Sequence, residues 1–285
     1  MLPGLLFLAL LGGCKDSPPT TDQAPTTTTG ALTAPAERPL PAFAGLLLDV
    51  DGDRILVGTP LPAPENADPM MEMTVRLLVR GVPTPWPLDD RPLSHARLLP
   101  GGALGITMRG DLVVADATVT RVDGEAIGPV GASADGRTLV YCKGEAPSLE
   151  VWRADYDGGW TTRPVTTAMA PTWSPAVSGD SVVYASAHSG VAALWRADGG
   201  APRQLTNRDV TFTPGQAPHL DPFPASLTPT LFDGDRIVFE GEQGVVVMTG
   251  EGRVLRQETG RVPHRLGLGY GVVRGNAIHP LEVAP

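Results

Sequence analysis

Cysteine is nearly absent from this 285-residue sequence: the chain has two, Cys14 and Cys142. Cys14 belongs to an N-terminal signal treated below, so Cys142 has no partner for an internal disulfide. It sits in the β-rich run Leu139-Val140-Tyr141-Cys142, where a small buried apolar residue is the simplest reading and a reactive thiol the lesser one. Apolar residues at helical spacing are missing after the first fifteen residues, so the mature chain is expected to be almost free of helix. Clustered Lys and Arg are missing too, and the net charge is −9. That combination argues against nucleic-acid binding and against an electrostatic hold on anionic lipid, and the acidity reads as solubility. No Gly-x-Ser-x-Gly elbow is present, nor an α/β segment to hold one. No Gly-rich phosphate loop opens a helix, so no nucleotide cofactor is implied. His95, His188, His264 and His279 are scattered without cysteines or paired carboxylates. No catalytic set, metal site or cofactor is therefore assigned.

Turn formers and core formers are plentiful. Gly (34) and Pro (30) call for frequent turns, and 42% hydrophobic content is enough for a sizeable core. The length suits one large all-β domain or two smaller ones. Leu5 to Leu11 is an apolar run of signal-peptide length, too short for a permanent membrane helix. It ends in Leu11-Gly12-Gly13-Cys14, which resembles a bacterial lipobox. The resemblance implies a signal peptide at 1–13 and a diacylated Cys14 as the first mature residue, anchored by several acyl chains. Lys15, rather than Asp, follows the cysteine, which resembles lipoproteins sorted to the outer membrane. The remaining span of 14–41 is rich in Thr, Pro and Ala with no aromatic residue before Ala42, so it reads as a disordered or polyproline tether.

From Ala42 to Pro285 the sequence repeats. Ala170 to Asn207 reads as four short strands separated by turns at Gly179-Asp180, Ser189-Gly190 and Asp198-Gly199-Gly200. Val151-Trp152-Arg153-Ala154-Asp155 matches Leu194-Trp195-Arg196-Ala197-Asp198. The two tryptophans are 43 residues apart, as are Tyr141 and Tyr184. A fixed period of this size points to four-stranded sheets arranged radially. Asp51-Gly52-Asp53 and Asp233-Gly234-Asp235 open two looser units, each giving the positive-φ turn of a tight hairpin followed by β-branched residues. A weaker unit spans Ala96 to Val122. The stretch holds nearly six such periods. An all-β propeller of six blades, each of four antiparallel strands, is expected over 42–285, its last sheet closed by a strand from around Ala31 to Glu37.

Ser133 to Tyr141, and the Trp-Arg-Ala-Asp-Gly-Gly…Gln-Leu-Thr pattern from Trp195 to Thr206, resemble the TolB-type β-propeller repeat. The match is good over two units, fair over Asp233 to Thr259 and poor before residue 130. The α/β domain that precedes the propeller in TolB has no counterpart, so the resemblance implies a fold and an envelope location rather than TolB's role.

Trp152 and Trp195 read as wedges between neighbouring blades, with ligand stacking as the lesser reading. Asp49-Val50-Asp51-Gly52-Asp53 superficially resembles a Ca²⁺ loop but lacks its distal Glu, and the repeat makes it a hairpin turn. The Pro-rich insertion from Asn207 to Ser226 interrupts the period. Long loops on rigid scaffolds often carry function, so Phe212, Gln216, His219, Asp221 and Phe223 are candidate partner-binding residues. The expectation is a non-enzymatic, monomeric, lipid-anchored module of the bacterial envelope, on the periplasmic face of the outer membrane or the cell surface. It would bind a protein, peptide or envelope polymer. The alternative is a propeller lyase or hydrolase with its site in the central channel.

Overall fold

The computed structural model describes residues 37–62, 72–89, 91–145, 148–167, 172–187, 193–206, 230–241, 244–266 and 269–281. These residues form twenty-four β-strands and no α-helix. The first is β1 (Arg38–Pro39). β2 (Leu46–Asp51), β3 (Arg54–Pro60), β4 (Met73–Val79), β5 (Val82–Thr84), β6 (Pro92–Leu99), β7 (Gly102–Thr107), β8 (Leu112–Ala115) and β9 (Val119–Asp123) make one eight-stranded sheet. Three four-stranded sheets follow in chain order: β10 (Ala126–Ala132) to β13 (Trp160–Pro164) through β11 (Thr138–Glu145) and β12 (Ser148–Tyr156); β14 (Thr172–Ser178), β15 (Ser181–Ser186), β16 (Ala193–Ala197) and β17 (Arg203–Gln204); and β18 (Leu231–Phe232), β19 (Arg236–Gly241), β20 (Gly244–Thr249) and β21 (Val254–Glu258). The last sheet has the order β1, β24 (Ala277–Leu281), β23 (Gly269–Arg274), β22 (Arg261–Leu266). All pairings are antiparallel hairpin steps apart from the junctions at β4–β6 and β1–β24.

The inner strands β2, β6, β10, β14, β18 and β22 neighbour one another in turn, and β22 returns to β2. This is a propeller arrangement. The expected six separate four-stranded blades are not found: four sheets stand alone, and the first two units are fused. The cause is the short β5, which pairs only Leu77 to Val79 of β4. The other end of β4 is left without a fourth strand, and Met73 and Thr74 pair with Leu93 and Pro92 of β6. An unpaired strand edge needs partners for its amides and carbonyls, and here the next inner strand supplies them.

The ring closes through the N-terminal strand. Arg38 and Pro39 pair with Ile278 and Ala277 of β24. The closing strand thus lies just beyond the Ala31–Glu37 span expected from the sequence, inside the stretch assigned to the tether. Two side-chain bonds hold it. Arg38 reaches the Gly52 carbonyl and the Asp53 carboxylate of the β2–β3 turn. Gly52 has φ +56°, as the Asp-Gly turn requires.

Burial runs from the axis outward. β14, next to the axis, is buried over Thr172–Val177, and Val182–Ser186 of β15 are buried on both faces. The outer strands β13 and β21 are exposed at four of five positions. One large apolar cluster lies within the eight-stranded sheet, and others lie between sheets. Leu99, Leu104, Ile106 and Leu112 of the eight-stranded sheet pack with Leu139 and Tyr141 of the next, and Trp152 and Trp160 lie against them. Trp195 packs against a cluster of Val140, Val151, Val177, Val182 and Tyr184, spanning two sheets. Each Trp stands opposite a Tyr in register, Tyr141–Trp152 and Tyr184–Trp195. The wedge role read from the sequence is the one the packing shows.

The residue after each Trp is equally structural. Arg153 Nη1 donates to the Gly179 carbonyl of the next sheet's turn at 2.8 Å, and Arg196 Nη1 to Gly250 at 3.0 Å. Asp155 and Asp198, two residues on, hold these guanidiniums at 2.9 and 2.7 Å. The repeated Trp-Arg-Ala-Asp is therefore a wedge, a staple to the following sheet and a carboxylate that orients the staple.

Candidate functional site

A polar site lies where the inner strands end. A pocket of about 230 Å³ is lined by the ends of β2, β6, β10 and β22 and the turns that follow. Asp49, Asp51, Arg97 and Arg265 bring charge to it. Each of the three strands that supply them carries a β-bulge, at Leu47/Asp49, Leu93/His95 and Arg261/His264. A bulge adds a residue on one strand only and re-aims the side chains that follow. Val262 sits in the third bulge at φ +51°, a rare conformation for a β-branched residue.

Asp49 is buried, with 7% of its surface exposed. Its Oδ1 accepts from the Val50 amide at 2.8 Å and its Oδ2 from the Leu98 amide at 2.9 Å. Arg97, 6% exposed, lies 3.6 Å from the same carboxylate and donates Nη1 to the Val130 carbonyl at 3.1 Å. Burial lifts the Asp49 carboxyl above its ordinary range, against the pull of Arg97 and the two amides. Burial also lowers Arg97; Asp49 opposes that shift and the Arg265 charge adds to it. Arg265 is half-buried and donates Nη2 to the Phe232 carbonyl at 2.8 Å. The two guanidiniums thus share the pocket with the buried Asp49 carboxylate, while Asp51, also on its lining, is paired with Arg54.

The two histidines behind this pocket are structural in form. His95 is buried and accepts the Val130 amide on Nε2 at 3.2 Å. Burial, then the Arg97 charge, pushes its pKa down to about 3, so the ring is neutral. His264 is buried, with Nδ1 3.0 Å from the Val262 carbonyl, and burial lowers its pKa as well. Among the described residues, no group of three or more His, Cys, Asp or Glu side chains is placed to hold a metal ion.

The residues singled out from the sequence fall in several places. Cys142 is buried in β11 and its thiol donates to the Thr172 carbonyl at 3.2 Å. Burial pushes the thiol up to about 12, which keeps it unreactive. Asp51 and Asp53 stand at the β2–β3 turn and pair with Arg54 and with Arg38 and Arg80. Asp233 turns its own loop by accepting the Asp235 and Arg236 amides, and binds the Tyr270 hydroxyl at 2.6 Å. These two stretches are hairpin turns. Trp195, besides its wedge role, lines a cavity of about 370 Å³ with Tyr184, Thr166 and Pro164. Cys14 and the loop residues Phe212, Gln216, His219, Asp221 and Phe223 lie outside the described residues.

Sequence reasoning missed Arg97 and Arg265, and it read Asp49 only as part of a turn. A single signal was present: Arg97 interrupts the apolar run Ala96-Arg97-Leu98-Leu99, and a charge within a buried strand needs a partner.

No protein-family model and no curated protein matches the sequence. Solved structures do resemble the fold. TolB from Acinetobacter baumannii is 15% identical, with 81% of this chain and 65% of that one covered and a TM-score of 0.49. A gluconolactonase from Xanthomonas campestris is 13% identical, with 86% and 96% covered and a TM-score of 0.49. BamB from Moraxella catarrhalis is 17% identical, with 82% and 69% covered and a TM-score of 0.37. The chain spans 65% of the length of the first of these. Likeness at this level concerns the path of the backbone and assigns no activity.

Proposed function

We propose that this chain is a non-enzymatic binding module that receives an acidic group of a protein or peptide between Arg97 and Arg265. The observation that carries this reading is the convergence of two arginines and one buried carboxylate on a pocket at the inner-strand ends. A carboxylate entering there meets guanidinium donors already oriented by the Val130 and Phe232 carbonyls, so little ordering remains to be done on binding. The pocket is small, of a size for a side chain or chain terminus rather than a folded surface. The same convergence of Asp and Arg would serve a lyase or hydrolase. Binding is favoured because a general base must be free to take a proton, whereas both oxygens of Asp49 already accept backbone amides, from Val50 and Leu98, with Arg97 beside them.

The eight-stranded sheet, divided at the β4–β6 junction, serves as two blades of a six-fold ring. Cys14 carries lipid, and the Thr/Pro-rich stretch tethers a monomeric propeller in the bacterial envelope. The 207–226 insertion, with Phe212, Gln216, His219, Asp221 and Phe223, adds partner contacts at the rim.

Calorimetric titration with a short acidic peptide and its neutral amide twin tests the pocket. Saturable binding of the acidic peptide, lost in Arg265→Glu at unchanged melting temperature, is the expected result. Equal behaviour of the two peptides, or of wild type and Arg265→Glu, sinks the reading. Fatty-acid labelling tests the anchor, and label retained by Cys14→Ser would refute it.

A further inference from the structure

A second cleft opens beside the first, on the far side of the Leu99–Pro100 corner, the only residues the two share. It runs between the outer strands of the eight-stranded sheet and two turns of the next sheet, β10–β11 and β12–β13. Its volume is about 510 Å³. That lies within the roughly 300–1,000 Å³ of small-molecule sites.

Its floor is aromatic. Tyr156 is 43% exposed, unusual for so large a ring, and stands 5.2 Å centre to centre from Trp160 at a 56° tilt. Trp160 rests on the Leu104–Ile106–Tyr141 cluster beneath, so the platform is backed by core. Gly158 and Gly159 lie between the two rings in sequence, and a Cβ at either would meet nothing within 4 Å. The space above that turn is open.

Its edges are polar and evenly charged. Arg137 lies 5.9 Å from the centre of the Tyr156 ring and donates to the Tyr156 carbonyl at 3.1 Å. Asp135 is oriented by the Ser133 hydroxyl at 2.6 Å and the Arg137 amide at 3.1 Å. Across the cleft stand Asp116, which caps the Thr118 amide at 3.0 Å, and Arg121, paired with Asp111 at 2.7 Å. Two carboxylates and two guanidiniums line the cleft, so no field draws a polyanion or a polycation.

An aromatic floor with evenly charged, pre-oriented donors and acceptors suits a neutral ligand that is apolar on its ring faces and rich in hydroxyls around its edge. We propose that this cleft is a saccharide site. A pyranose ring lays its C–H face on Tyr156 and Trp160, and its hydroxyls donate to Asp135 and Asp116 and accept from Arg137 and Arg121. Both ring faces and edge are then satisfied, which a peptide backbone or an aliphatic chain would leave half unmet. The site is separate from the Arg97–Arg265 pocket.

Titration calorimetry of the full chain with maltotetraose and with chitotetraose tests it, with decaproline as the peptide probe for the same aromatic floor. Saturable binding of a tetrasaccharide is expected, weakened at least tenfold by Tyr156→Ala and by Asp135→Asn. Tyr156→Phe keeps the ring and should retain affinity. Tyr156 is exposed, so its variants fold, and an unchanged melting temperature verifies this. Arg265→Glu should leave saccharide binding intact, which separates failure of this site from failure of the Arg97–Arg265 pocket. The proposal is overturned if neither sugar binds, if Tyr156→Ala binds as wild type does, or if decaproline alone binds at Tyr156.

Discussion

The sheets β10–β13 and β14–β17 differ from the eight-stranded sheet before them in how they use charge. In the two regular sheets, arginine faces a neighbouring turn. Arg153 and Arg196 each follow a wedge Trp, each is steadied by an Asp two residues on, and each ties its sheet to a later turn carbonyl. In the eight-stranded sheet the repeat is barely visible; Arg54 still reaches the Leu99 and Gly102 carbonyls at the β6–β7 turn, but there Asp49 and Arg97 also sit buried at the pocket on inner strands. Where the letters repeat, the residues hold the ring together. Where they do not, the constraint of the period is relaxed and the fold places charge at the centre.

Breaking the central pair should have the largest effect. Asp49→Ala leaves Arg97 buried beside an emptied site, at a cost of about 4 kcal/mol of unfolding free energy in chemical denaturation. Asp49→Leu combined with Arg97→Met should recover most of that loss while abolishing acidic-peptide binding. If the single variant costs nothing, the pair is not a buried one and the contrast between regions fails.

Acid comes next. The neutral His95 ring refuses a proton until about pH 3, whereas the unfolded chain takes one up near 6.5. Its contribution is therefore present above about pH 6.5 and lost as the pH falls toward the folded value, with on the order of 3 kcal/mol gone by about pH 4. His264, whose pKa is also lowered, acts with the same sign. Asp49 acts with the opposite sign, because its lifted carboxyl favours the folded state in acid. His95→Gln, which can still accept the Val130 amide, should flatten the fall of melting temperature between pH 6.5 and 4. An unchanged slope would mean that His95 titrates normally in the fold.

The repeat should respond more mildly. Trp152→Ala should cost about 2–3 kcal/mol, since the ring is half-buried rather than enclosed. Arg153→Ala should cost about 1–2 kcal/mol through the lost bond to Gly179 and the freed Asp155. The exposed Arg76 of β4 gives the baseline, with Arg76→Ala within about 0.5 kcal/mol of wild type. If Arg153→Ala matches Arg76→Ala, the staple contributes nothing and only the wedge distinguishes the repeat.

Much of the scaffold was legible before the structure. Tyr141 and Tyr184, like Trp152 and Trp195, fall at matching register positions in successive sheets, as the 43-residue spacing implied. Asp-Gly turns, β-branched runs and the missing helical spacing are local signals, and local signals survive in sequence. The closing strand was expected slightly too early, at Ala31 to Glu37, because two residues of ladder at Arg38–Pro39 leave almost no pattern. The fusion of the first two units was not legible either, since it depends on β5 stopping after three residues.

The pocket at the inner-strand ends was legible least. Asp49 and Arg97 are 48 positions apart in the chain, and Arg265 is much further along; nothing in their flanking residues marks them as partners. What the sequence determined by itself was the period, the strand-and-turn content and the wedge residues, because these follow from the alternation and turn chemistry of consecutive residues. What only the tertiary structure decided was the ring's closure and the meeting of one carboxylate with two guanidiniums at its centre. That meeting depends on bulges in β2, β6 and β22, each of which shifts a strand's facing by one residue, and on burial that lifts the Asp49 carboxyl and lowers Arg97.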